Sequence, residues 1–387
     1  MEEISIVLIG HKDHGKSTLI GRLILDSGSI SQERIEGIKR ADEALGKKFE
    51  LAHLVDSFKQ EREQEMTMDT TIAVLKGKER IYHLIDVPGH KELISHMLTG
   101  ASSAQAALLV VAINEGIKEQ TIDHLEIAQL LGIRQLGVIV NKMDEAGYRK
   151  ESFDRVVEEL KEILGKIGYS SSNISFFPIC AKEGDNVIQS SENMPWYSGD
   201  SVMEFIENRF LSLDSFDNLP LRFLVQDSYV EEGIIVGKVE SGVLREGQEI
   251  LFFPQKETNK IKEIKVSGAN PKESKSGENI GIVLSKDAKI IRGMVGSSPK
   301  DVPKVGNVLA GEVFWIKKPL SKELVCECGT DSSEGELMQL NNVKEGQKSP
   351  YKILLRKKIA FDPSSKTILS KIVLKEDGKI IGVGNIN

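Results

Sequence analysis

The stretch Ile4-Ser5-Ile6-Val7-Leu8-Ile9-Gly10-His11-Lys12-Asp13-His14-Gly15-Lys16-Ser17 decides how this chain begins to fold. An apolar run ends at a glycine, and residues 10–17 then fit G-x-x-x-x-G-K-[ST], between a strand and a helix as the pattern requires. The chemistry it suggests is anion capture. Two glycines let the backbone wrap closely, so that successive N–H groups and the helix N-terminus face bound phosphates. Gly10, His14, Gly15, Lys16, Ser17 and Thr18 are the candidate cradle, with Lys16 reaching the β- and γ-phosphates and Ser17 ligating Mg²⁺.

Outward from this loop, residues 1 to about 212 alternate short apolar runs with helical patterns. The runs are Ile4–Ile9, Ile81–Ile85, Ala107–Ala112, Leu136–Val140 and Phe176–Ile179. Apolar residues at three- and four-residue spacing predict helices at Ser17–Leu25, Gln120–Leu131 and Phe153–Ile167. Continuous apolar runs separated by helix-length segments predict an α/β domain, a mostly parallel sheet with helices on both faces. After Leu211 the texture changes. SLDSFDNLP reads as a linker, and from Leu221 to about Val302 short strands with glycine-containing turns predict a β-barrel. A third, shorter stretch from about Gly306 to the end is again strand-like. The Gly/Ser/Lys-rich segment GANPKESKSGEN reads as a surface loop.

Three further motifs each follow an expected strand. Asp86-Val87-Pro88-Gly89-His90 places an acid at a strand's carboxyl end, where Asp86 can hold Mg²⁺ through water and Gly89 can offer its N–H to a γ-phosphate; D-x-P-G is also ordinary turn chemistry. In Asn141-Lys142-Met143-Asp144, the Asp144 carboxylate can accept hydrogen bonds from the N1–H and 2-amino groups of guanine, donors that adenine does not offer. The Lys142 stem can cover the base or ribose, and by itself the motif also fits a solvated polar loop. Cys180-Ala181-Lys182 sets backbone N–H groups where a guanine 6-oxo group can bind. The four motifs in this order specify a guanine-nucleotide site binding GTP or GDP with Mg²⁺.

The totals are compatible with this and exclude other classes. The 387 residues exceed one ordinary core. Lys and Arg number 51 against 58 Asp and Glu, a formal charge of −7, which disfavours broad non-specific nucleic-acid binding. No run approaches the roughly 18 consecutive apolar residues of a membrane helix, and MEEISIVLIG does not read as a secretory signal. Cys180, Cys326 and Cys328 are too few, and Cys-x-Cys too closely spaced, for a disulfide framework or a zinc site. They read as reduced thiols in a cytoplasmic protein with no membrane partner.

Taken together, GHKDHGKS, the segment Glu61-Arg62-Glu63-Gln64-Glu65-Met66-Thr67 and DVPGH resemble the translation-factor superfamily of GTPases. That superfamily includes elongation factor Tu, elongation factor 1-alpha and the GTPase subunit of ATP sulfurylase. The resemblance covers essentially the whole chain. It implies a GTP-binding domain over 1–212, a β-barrel over 213–305 and a short β-barrel over 306–387. It also implies that Thr67 completes Mg²⁺ coordination when GTP is bound, that His90 positions the attacking water, and that Asp13 helps organise transition-state charge. Lys16 joins His90 and Asp13 as a catalytic candidate. Three positions depart from the family pattern: Lys12 for a small apolar residue, Glu65 for glycine and Cys180 for serine. With no arginine finger evident in the chain, unaided turnover is expected on the order of 10⁻⁴ to 10⁻² per second.

Within the superfamily, Ser17–Leu23, Glu61–Gln64, Thr99–Ser102, Gly184–Val187, Met194–Tyr197, Phe361–Pro363 and Ile381–Gly384 look most like the sulfurylase GTPase subunit. The region spanning GDN and NMPW is shared with elongation factor 1-alpha. This likeness implies a regulatory GTPase whose partner is an adenylyltransferase catalytic subunit. The alternatives are an elongation factor delivering aminoacyl-tRNA to the ribosome, towards which His11 and His14 lean, and a diverged member with another client.

Overall fold

The computed structural model describes residues 2–63, 71–87, 89, 106–133, 135–169, 174–210, 216–229, 233–266, 270–338, 343–363 and 367–387, with the backbone alone at 2 and 58–63. The chain forms two compact units, divided between Ser212 and Leu213.

In the first unit, β1 (Glu2–Ile9), β3 (Arg80–Asp86), β4 (Ala106–Ala112), β5 (Gln135–Asn141) and β6 (Ser175–Pro178) run parallel, and β2 (Thr71–Lys76) pairs antiparallel with β3. The sheet order is β2-β3-β1-β4-β5-β6. Its central strands read as unbroken apolar runs because both faces are covered. Ile4, Ile6, Leu8, Leu108 and Val110 face a core shared with α1 (Lys16–Asp26), α3 (Leu51–Glu63) and α6 (Val202–Arg209). The intervening Val7, Ile9, Ala107, Leu109 and Val111 are equally buried. α4 (Glu119–Leu130) contacts β1 and β4, and packs against α5 (Lys150–Ile167). In α5, Phe153, Val156, Val157, Leu160, Leu164 and Ile167 form the apolar stripe, and Gly168 ends the helix in a left-handed conformation at φ 102°.

The five parallel strands and three helices match the expected segments to within a few residues. β2, α2 (Gln32–Ala44), α3 and α6 lie outside those expectations. α2 has no apolar stripe to announce it: Ile35 is its one buried apolar residue, and it meets α3 through Asp42, whose Oδ2 lies 2.8 Å from His53 Nδ1. The edge strand β2 alternates in burial, as an antiparallel edge does.

The second unit holds two closed six-stranded barrels. Around the first, the strands run Glu249–Phe253, Glu257–Lys265, Asn279–Leu284, Ile234–Ser241, Arg222–Tyr229 and Val295–Ser297. Around the second they run Lys304–Trp315, Gln347–Phe361, Asp331–Leu337, Glu323–Cys328, Lys371–Glu376 and Lys379–Asn385. Each barrel has an apolar core, and Leu224, Phe253 and Val295 of the first join the cluster that fills the second. Arg222 crosses between them: Nε donates to Asp362 Oδ2 at 2.6 Å and Nη2 to Oδ1 at 3.0 Å. In the segment read as a surface loop, Glu273–Ser274 pairs with Leu244–Arg245. The linker segment contains a short 3₁₀ turn, Phe216–Asn218. Cys180, Cys326 and Cys328 are free and buried. Among the described residues, no helix is long and apolar enough to cross a membrane.

Candidate nucleotide-binding site

Parallel strands place their carboxyl ends on one edge, and β1 is where this sheet's order reverses. Ligands bind outside such a point. The loops after β1, β3, β5 and β6 carry the four motifs, so the topology gathers residues from Gly10 to Lys182 onto one edge.

The loop after β1 is tightly constrained. Gly10 has φ 133°, and a Cβ there would lie 2.2 Å from the Val110 carbonyl oxygen. Gly15, at φ 93°, is the N-cap of α1, and its Cβ would lie 2.3 Å from Asn141 Nδ2. Only glycine meets both conditions. Asp13 is also left-handed, at φ 64°. Lys16 is buried, and its Nζ donates to the carbonyls of Gly10 at 3.1 Å and His11 at 2.9 Å. Burial lowers its pKa, opposed by the carboxylates of Asp86 and Asp13. A desolvated cation on this loop is matched to a bound polyanion.

Ser17 Oγ donates to Asp86 Oδ2 at 2.5 Å. The two expected metal-holding residues are therefore neighbours. Their oxygen chemistry fits Mg²⁺, which takes few protein ligands and keeps water and phosphate as the rest. Gly89 is half-buried in the loop beyond β3. Thr67, Glu65 and His90 lie outside the described residues.

His14 lies in the phosphate loop with its side chain turned into the protein. Its side chain is fully buried, with Nδ1 3.3 Å from the Val110 carbonyl and Nε2 3.7 Å from Glu115 Oε2. That leaves its backbone to serve the phosphate cradle. Burial lowers its pKa, against the raising influence of the Val110 carbonyl and Glu115. The Gly10 N–H donates to Nδ1 of buried His124 on α4 at 3.3 Å.

The base-reading loops are tied to this cradle by Asn141. Its Nδ2 donates to the His14 carbonyl at 2.9 Å, and its Oδ1 accepts from the Ala181 N–H at 3.0 Å. Lys142 takes a left-handed φ of 63°, after which the Met143 N–H reaches the Ile179 carbonyl at 3.1 Å. Lys142 Nζ lies 3.7 Å from Glu115 Oε1, so Glu115 links the phosphate loop to the base motif. Asp144 is exposed, and its Oδ1 accepts from the Cys180 thiol at 3.1 Å. Burial pushes that thiol's pKa up to about 12, with Asp144 adding to the rise, so Cys180 acts as a neutral donor. Sequence alone assigns the loop's recognition to backbone groups and gives no sign of this side-chain contact.

Nor does it single out Arg22 or Tyr148. Arg22 on α1 donates to the carbonyls of Ala181, at 3.1 Å, and Lys182. Tyr148 donates to Asp185 at 2.9 Å and accepts from Trp196 through its backbone carbonyl. No local pattern marks either residue, because each partner is 37 or more positions away in sequence.

Comparison with known proteins bears on the same residues. The family model for the elongation factor Tu GTP binding domain matches residues 1–215. The chain is 38% identical over 328 residues to elongation factor 1-alpha of Methanocaldococcus jannaschii, covering 82% of this chain and 76% of that protein. It is 38% identical over 306 residues to that of Methanoculleus marisnigri, covering 78% and 72%. The same-named protein of Saccharolobus solfataricus is 35% identical over 333 residues, covering 82% and 76%.

Proposed function

We infer the function from one premise: the chain belongs to the translation-factor superfamily of GTPases, of the elongation factor Tu and elongation factor 1-alpha type. It is accordingly a GTPase that binds GTP and GDP with Mg²⁺. The sulfate-activation reading gains no support from the relatives named above, all of which are called elongation factor 1-alpha.

We propose that the chain delivers aminoacyl-tRNA to the ribosome as a GTP-dependent carrier. The observation that carries this is the reach of the likeness: 82% of the chain aligns with elongation factor 1-alpha, more than the 1–215 segment, so the similarity runs on into the barrels. A cytoplasmic location belongs to the same proposal. So does the division into a nucleotide domain, 1–212, and two barrel domains, 213–305 and 306–387, although the second barrel's first strand starts at Lys304.

For the reaction, the amides of 14–18, with the Lys16 ammonium, bind and orient the phosphates in the loop that Gly10 opens, while Gly89 offers its N–H to the terminal one. Ser17, Asp86 (through water) and, with GTP, Thr67 would hold Mg²⁺, which would supply charge neutralisation at the phosphates. His90 orients the attacking water and Asp13 assists charge development. Asp144 and the Lys182 N–H bind the guanine edge and the Lys142 stem covers the ring, while Asn141, Cys180 and Ala181 hold these loops in place.

The test is protection of the aminoacyl ester. Protein loaded with a non-hydrolysable GTP analogue should slow spontaneous deacylation of aminoacyl-tRNA, and GDP-loaded protein should not. Equal deacylation in both states rules out the carrier role, and stoichiometric capture of an adenylyltransferase from extract would restore the sulfate-activation reading. In single-turnover assays, His90→Ala should keep nucleotide binding and lose most hydrolysis.

A further inference from the structure

The loop Cys180–Asp185 uses most of its backbone donors within the protein. The Cys180 N–H goes to the Asp185 carbonyl at 3.3 Å, and the Ala181 N–H to Asn141 Oδ1 at 3.0 Å. The Glu183 N–H is turned to the Cys180 sulfur, where it favours the thiolate. The Gly184 and Asp185 N–H groups both reach the Cys180 carbonyl, at 2.8 and 3.2 Å. Among the described residues, the amide of this loop without such a partner is that of Lys182.

The orientation of that amide is set from outside the loop. In a trans peptide the C=O and N–H point in opposite directions. The carbonyl of Ala181 shares its peptide plane with the Lys182 N–H, and this carbonyl accepts from Arg22 Nε at 3.1 Å. Arg22 Nη2 takes the next carbonyl, that of Lys182. Nη1 is held by Asp26 Oδ1 at 3.2 Å, one turn along α1. The Arg22 side chain is 18% exposed and uses all three of its nitrogens in these contacts. Gly184 lies alongside: a Cβ there would sit 3.6 Å from both Arg22 Cδ and Asp26 Oδ2. A rigid fork on the helix that starts at the phosphate loop thus grips two successive carbonyls of the base loop.

We propose that Arg22 is a positioning residue for recognition of the purine 6-oxo group. By holding the Ala181 and Lys182 carbonyls on the α1 side, it turns the Lys182 N–H towards the base. This rests on the guanine-site reading above, and it separates two parts of base selection. Asp144 reads the N1–H and 2-amino edge, whereas the Arg22-held peptide reads the oxygen at position 6.

The test compares GDP, inosine diphosphate and 6-thioguanosine diphosphate on the full chain by equilibrium titration. Inosine lacks the 2-amino group, and the 6-thio analogue replaces the 6-oxo acceptor with a weaker one. Wild-type protein should prefer GDP to the 6-thio analogue by about tenfold, the worth of one good hydrogen bond. Arg22→Ala should lose that preference through weaker GDP binding alone, keep its affinity for the 6-thio analogue, and keep the wild-type preference for GDP over inosine diphosphate. Arg22→Lys, with a single point donor, should fall between, and it substitutes as the reading if the alanine variant does not fold.

A variant that binds all three nucleotides more weakly by one common factor, or binds GDP unchanged, overturns the inference and leaves the guanine site standing. The inference is overturned in the same way if wild-type protein does not distinguish GDP from the 6-thio analogue. If wild-type protein does not prefer GDP to inosine diphosphate, the guanine-site reading itself falls, and this inference with it.

Discussion

Asn141 and His14 are joined by a 2.9 Å hydrogen bond from the asparagine amide to the histidine carbonyl, spanning 127 positions of sequence. Because the same side chain also accepts from the Ala181 N–H, one buried residue fixes the phosphate cradle and the base loop to each other. The site is therefore a single construction, and substitutions at its joints have separable consequences.

Asn141→Ala strands both the His14 carbonyl and the Ala181 N–H in a buried place. Each unmet group costs about 1–3 kcal/mol. The expected result is a lower urea midpoint with unchanged slope, together with loss of nucleotide binding. A midpoint equal to that of wild type rules out the joint.

Asp144→Asn should exchange the base preference. An amide can donate where the carboxylate only accepts, so its NH2 pairs with the 2-oxo group of xanthine and opposes the 2-amino group of guanine, while its oxygen still accepts from N1–H. GTP affinity should fall about ten- to a hundredfold, and affinity for xanthosine triphosphate should rise. Direct titration with both nucleotides checks this, and unchanged GTP affinity removes Asp144 from its role.

His14 supplies a pH dependence. Burial lowers its folded pKa below the ordinary 6.5, so the folded protein keeps it neutral while the unfolded chain takes up a proton. Stability from this group is full above about 6.5 and is lost as pH falls towards the depressed folded value, with a slope of at most about 1.4 kcal/mol per pH unit. Urea unfolding at pH 7, 6 and 5 should show a smaller loss for His14→Gln than for wild type. Equal losses assign the acid sensitivity elsewhere.

Arg222 and Asp362 offer a test within the second unit. Arg222 is 5% exposed and Asp362 18%, and the arginine also donates to the carbonyls of Leu221 and Asp301. Arg222→Met leaves a largely buried carboxylate without its cation and should cost up to about 3 kcal/mol, since Asp362 retains some contact with water. Arg222→Met combined with Asp362→Leu should recover most of this in chemical denaturation. A double variant no more stable than the single one means the pair matters for more than its charge.

What can be read along the chain depends on where each kind of information resides. The phosphate loop is legible because its requirements are local: Gly10 and Gly15 must be glycine, Lys16 must follow, and a strand and a helix must flank them. The parallel strands are legible because burial on both faces leaves continuous apolar runs. α2 and β2 are not, since one packs through an Asp42–His53 pair and the other is a short edge. Within the last strand-like stretch, Asp331–Leu337 is not marked individually, because its inward positions include Asp331, Ser333 and Gly335, which carry no apolar signal.

By itself, then, the sequence determined the nucleotide chemistry, the parallel sheet and the change to β-barrel texture near residue 212, because these rest on residue types at fixed short spacings. The tertiary structure decided what holds the site in shape. Only folding placed Arg22 against the carbonyls of Ala181 and Lys182, Glu115 between His14 and Lys142, and the Cys180 thiol on Asp144. Such contacts depend on which loops a sheet's strand order brings to one edge, and that order is settled by long-range packing that no local spacing records.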